Sequence, residues 1–131
     1  MKYVTFIALV LTLAAGTAQA QAAPKPGDMC LAYWEETGFY YVGTLIGEDT
    51  AAKEGGLLVV FADGDQAVVP LDKVKTLTIK AGSEVQALWS DHEFYPGKVA
   101  KILGGALYIE FDDGDKGWTS WAGIAVEAES E

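Results

Sequence analysis

The chain has 131 residues, half of them apolar, with 19 acids against nine basic residues and a formal charge of −10. All nine basic residues are lysine. Such a surface repels phosphate backbones and anionic lipid and attracts cations, so nucleic acid and membrane surfaces are poor partners. The single cysteine rules out an internal disulfide, so the fold has to be held by apolar burial.

Met1 to Ala20 reads as a signal peptide rather than part of the fold. Lys2 gives a positive start, Val4 to Ala15 is almost wholly apolar, and Ala18-Gln19-Ala20 has the A-x-A form of a cleavage site. The apolar run is short for a membrane span. The expected mature protein is exported, periplasmic or extracellular, and has no membrane span once the leader is removed. Residues 21–26, with Pro24 and Pro26, read as a stiffened linker.

A first unit spans residues 27–80. Met29 to Trp34 is a strand, Glu35 to Gly38 a polar turn, Phe39 to Ile46 an aromatic-rich strand, and Gly47 to Gly56 a loop. Two further runs, Leu57 to Val60 and Gln66 to Leu71, flank Asp63-Gly64, a hairpin corner in which glycine accepts the positive φ a tight turn requires. Leu71 to Val74 reads as one helical turn, and Lys75 to Lys80 alternates as a fifth strand.

A second unit, residues 81–126, repeats this order, and its hairpin corner Asp113-Gly114 lies fifty positions after Asp63-Gly64. Gly82, Ala87 and Trp89 match Gly27, Ala32 and Trp34; Tyr95 and Gly97 match Tyr41 and Gly43; Phe111, Asp113 and Asp115 match Phe61, Asp63 and Asp65. Residues 127–131 form an acidic tail. Short strands at even spacing without long helical periodicity predict an all-β protein of two tandem five-stranded barrels.

Three blocks carry a family resemblance: Gly82-Ser83-Glu84-Val85-Gln86-Ala87-Leu88-Trp89, Tyr95-Pro96-Gly97-Lys98-Val99 and Ile109-Glu110-Phe111-Asp112-Asp113-Gly114. They resemble a Tudor domain of the SH3-like barrel group, and the first unit resembles it more weakly. The resemblance implies a tandem Tudor module that binds rather than catalyses. It implies an aromatic cage for a methylated lysine or arginine, made of Trp89, Tyr95, Phe111 and Asp113 in repeat two and of Trp34, Tyr41, Phe61 and Asp63 in repeat one. Ring faces attract a desolvated cation, and a rim carboxylate adds charge. Asp65 and Asp115 stand where such readers often carry another aromatic, which leaves both cages open and acidic.

Other residues admit plainer readings. The strand-end aromatics also suit the covering of a small barrel core. Asp and Gly at the hairpin tips are good turn residues, although Asp112, Asp113 and Asp115 together could offer oxygens to calcium. His92 reads as a solvated turn residue and Cys30 as a small buried hydrophobe. No nucleophile–base set, phosphate loop or zinc spacing is present, so neither an enzyme nor a cofactor or metal is expected. Two functions follow as expectations: an exported binding module for a cationic or peptide ligand, or a structural or accessory envelope protein that makes protein–protein contacts without a cage ligand. Repeat two is expected to be the better ligand site, because it has the extra acid Asp112 and the nearby Trp118 and Trp121.

Overall fold

The computed structural model describes residues 23–49 and 55–128. The signal-peptide reading of Met1 to Ala20, the first two linker residues, the centre of the loop after the second strand and the last tail residues lie outside them. The described chain is all-β, apart from two short 3₁₀ turns.

Each repeat contributes five strands. Repeat one has β1 (Met29–Trp34), β2 (Phe39–Glu48), β3 (Leu57–Phe61), β4 (Gln66–Val69) and β5 (Val74–Thr76). Repeat two has β6 (Glu84–Leu88), β7 (Phe94–Leu103), β8 (Ala106–Phe111), β9 (Lys116–Ser120) and β10 (Ile124–Glu127). The 3₁₀ turns, Leu71–Lys73 and Trp121–Gly123, stand before the fifth strand of each repeat. Both long second strands bulge, β2 between Leu45 and Gly47 and β7 between Val99 and Lys101. A bulge adds local bend and twist, which lets one strand serve both sides of a small barrel.

The repeats are joined through β10. It pairs with β6 of its own repeat and, on its other edge, with β2 of repeat one, setting Ala125 opposite Tyr41 and Val126 opposite Tyr40. The result is one ten-stranded sheet running across both units. Two apolar cores form on it. The first contains Cys30, Ala32, Leu45, Val59, Phe61, Val69 and Val74 of repeat one. The second contains Val85, Ala87, Val99, Leu107, Ile109, Phe111 and Ile124 of repeat two, and takes in Leu31, Tyr40 and Val42 of repeat one.

Successive strand residues point to opposite faces, so Cys30 and Ala32 fill one core while Leu31 fills the other. All three are essentially inaccessible, Cys30 and Ala32 at 0% and Leu31 at 1% exposure. The fifth strand of repeat one is shorter than its Lys75–Lys80 pattern suggests and ends at Thr76. Beyond it the alternating Leu77 and Ile79 pack against the second core instead of extending the ladder on β1.

Candidate functional site

The aromatic sets expected from the sequence are each brought together at one end of their barrel. Trp34 closes β1, Tyr41 lies early in β2, Phe61 ends β3, and Asp63 sits in the turn that follows. The register places Ala32 opposite Tyr41 and Gly43 opposite Phe61. Gly43 is required there, since a Cβ would stand 2.7 Å from Val59 Cγ1 and 3.0 Å from the Val60 carbonyl oxygen. Gly97 holds the same place in repeat two, where a Cβ would meet Glu110 O at 2.9 Å and Phe111 Cα at 3.0 Å. These two glycines allow the third strand to lie close across the second, and so bring the phenylalanine to the tryptophan.

The ring geometry is nearly the same in both repeats. Trp34 and Phe61 meet edge to face at 5.3 Å and 85°, and Trp89 and Phe111 at 5.1 Å and 79°. The tyrosine in each is tethered by a residue four positions earlier. Tyr41 donates its hydroxyl hydrogen bond to Thr37 Oγ1 at 3.1 Å, and Tyr95 donates to Asp91 Oδ2 at 2.5 Å. The Tyr95 bond, first among its causes, holds the Asp91 carboxyl below its ordinary range, and the same bond pushes the Tyr95 phenol up. In each hairpin tip the aspartate braces the turn: Asp63 Oδ1 accepts from the Asp65 N–H and Asp113 Oδ1 from the Asp115 N–H. Gly64 and Gly114 adopt φ of +98° and +99° there. Among the described residues no group of three or more acids, cysteines or histidines is placed to hold a metal.

The concavities differ. Repeat one has a cavity of about 530 Å³ lined by Trp34, Tyr41, Phe61 and Asp63, with Glu36 and Asp65 at its acidic margin. Its far wall is made by repeat two, from Leu88, Phe94, Ala122 and Ile124. Phe94 meets the Tyr41 ring at 6.1 Å and 81°, which adds a fourth aromatic to the set. Repeat two has a cavity of about 190 Å³ between Trp89, Asp91, Tyr95, Phe111, Asp113 and Asp115. The expected advantage of repeat two is not what the geometry offers. Trp118, 51% exposed, lies over Tyr108 at 5.0 Å, and Trp121 turns inward and donates from Nε1 to Gly104 O at 3.0 Å. Neither lines the repeat-two cavity.

Phe94 is the residue that sequence reasoning misses. It stands beside Tyr95 on β7, and adjacent strand residues face opposite ways, so Tyr95 serves its own barrel while Phe94 serves the neighbour's. Its local pattern gives no sign of this, because the pairing of β10 with β2 is what sets the two surfaces together. The lysine–ring contacts of the described residues fall outside both sets: Lys73 lies over Tyr33, Lys75 over Tyr40, and Lys101 over Tyr108 and Trp118. Cys30 is buried, and desolvation first, then the Asp28 charge, raises its thiol to about 11.

Comparison with known proteins agrees with this architecture. Residues 26–77 match the family model described as the DNA repair protein Crb2 Tudor domain. The structure is similar to the crystal structure of Crb2 tandem tudor domains, with a TM-score of 0.55 and 17% identity over 81% of this chain and 82% of that one. A fainter similarity links it to the ADCP1 tandem Agenet domain 3-4, with a TM-score of 0.36 and 12% identity over 79% and 80% of the two chains, too low to bear on the fold. No curated protein matches the chain. The fold thus resembles that of tandem Tudor domains, and it carries an aromatic cluster in each repeat.

Proposed function

We propose that the chain is an exported, non-enzymatic binding module that captures a cationic side chain, lysine or methylated lysine, presented by a protein or peptide. The site is the repeat-one cavity between Trp34, Tyr41, Phe61, Asp63 and Phe94. The observation that carries the reading is a cavity of about 530 Å³ in which four aromatic rings converge beside three carboxylates. Ring quadrupoles and rim carboxylates favour a cation that has shed its water, and the overall charge of −10 draws it in from a distance. The repeat-two set Trp89, Tyr95, Phe111 and Asp113 is a smaller site for the same chemistry. Export is supported by the leader-like Met1 to Ala20, and mass spectrometry of the periplasmic or secreted protein should find Gln21 or a near neighbour first.

The test is a titration with lysine, methyl-lysine and glycine-spaced control peptides, followed by tryptophan fluorescence at two salt concentrations. Binding should require a cation, weaken with salt and be lost in Trp34→Ala. The contact-protein reading has an observation of its own, the exposed Trp118 packed on half-buried Tyr108 beside Lys101. Loss of partner capture in Trp118→Ala, with Trp34→Ala unaffected, would favour that reading.

A further inference from the structure

Trp34 is a wall shared by two cavities. Behind the aromatic–acidic pocket lies a groove of about 380 Å³ walled by Tyr33, Ala67, Val68, Val69 and Pro70, and Trp34 and Glu36 line both. The groove comes from the end of β1 and from β4 with the proline that follows it. Val68 is 44% exposed there. A single exposed valine carries no message, but a contiguous apolar concavity continuous with a polar site is how proteins recognise an apolar group of fixed position. Its charged margin is formed by Glu35, Glu36 and Lys73, whose ammonium sits 4.9 Å over the Tyr33 ring.

We infer, resting on the cage reading above, that this groove is a second subsite of the same site and takes an apolar side chain of the ligand peptide two positions from its cation. In an extended peptide, side chains two positions apart lie on one side at a separation of about 7 Å, enough to straddle one indole. The walls of the groove are mainly apolar, so the ligand class is a peptide with a valine, leucine or proline two positions from a cationic residue. Repeat two does not repeat the groove's composition. Gly117, Trp118, Thr119 and Ser120 stand where Ala67, Val68, Val69 and Pro70 stand, and a Cβ on Gly117 would be only 3.3 Å from Trp89.

The experiment uses the purified protein and three capped peptides, each with one trimethyl-lysine in an alanine background. The residue two positions on is alanine, valine or lysine. Calorimetry should show the valine peptide binding roughly three- to tenfold more tightly than the alanine one, in line with burial of part of a valine side chain. The lysine peptide should bind less tightly than the valine one, because the groove's walls are mainly apolar. Val68→Thr, which keeps the β-branched shape, and Val68→Asp should both bring the valine-to-alanine ratio towards one, with folding checked by thermal melting. Equal affinities for the valine and alanine peptides, with binding still lost in Trp34→Ala, would overturn the subsite and leave the cage. Tightest binding by the lysine peptide would also overturn it. No binding of any peptide at low salt would overturn both.

Discussion

The two repeats carry the same aromatic set on the same strands, yet they are built into the molecule differently. In repeat one, β1 and β2 are covered on both faces, by their own barrel core on one side and by the second core on the other. In repeat two, only one face of β6 and β7 is fully buried, the other being half-buried in β6 beyond Glu84 and mostly exposed in β7. The difference shows in the residues themselves: Met-Cys-Leu-Ala-Tyr-Trp against Glu-Val-Gln-Ala-Leu. A barrel with one free face needs polar residues at alternate positions, whereas one seated on a neighbour does not. The consequence is that the aromatic cluster of repeat one gains a wall from repeat two and so a larger cavity, while that of repeat two is enclosed by its own residues.

This contrast can be broken most severely in the shared core. Leu31→Ala and Ile124→Ala come from different repeats but fill one cluster. Each should cost about 2–5 kcal/mol in urea denaturation, and both repeats should lose structure in one transition. Two separated transitions would mean the repeats fold independently. The pair should also be non-additive, because they share the space that opens.

The next effect is on binding. Trp34→Ala should weaken cation binding more than tenfold and Trp89→Ala by less, as about 0.5–2 kcal/mol per ring contact allows. Phe94→Ala sharpens the comparison further. Although it lies in repeat two, it should weaken the repeat-one site roughly threefold, at the lower end of that range. An unchanged affinity would show that repeat two contributes no wall.

Cys30 reports on the two-sided burial of β1. With its thiol raised to about 11, it should resist a thiol reagent at pH 8 in the native protein and react on unfolding. Rapid native labelling would show that β1 opens readily.

The smallest effect concerns the tyrosine tethers. The Tyr95 phenol, raised by the Asp91 carboxylate, should ionise above its ordinary value of 10.0, and Asp91→Asn should bring it back down. Because the Asp91 pKa is lowered in the folded state, the tether's contribution is present above its unfolded value of 3.8 and fades as pH falls through the lower folded value.

Much of this was legible in the sequence because it is local. The Asp-Gly corners, the glycines opposite Phe61 and Phe111, and the strand-end tryptophans each follow from one strand and its hairpin neighbour. Their recurrence in two repeats set the strand order, the helical turns and the two aromatic clusters. Three features were not legible: the wall that Phe94 gives to repeat one, the inward turn of Trp121, and the departure of Leu77 and Ile79 from β1 to the second core.

By itself the sequence determined that this is an all-β tandem repeat with matched aromatic and acidic residues, because hairpin registers and turn chemistry are set by neighbours along the chain. The tertiary structure alone decided which aromatic cluster has the larger cavity. That choice rests on the pairing of β10 with β2, a contact between segments some eighty residues apart, and long-range pairing of this kind is selected by the apolar surface it buries rather than by any local pattern.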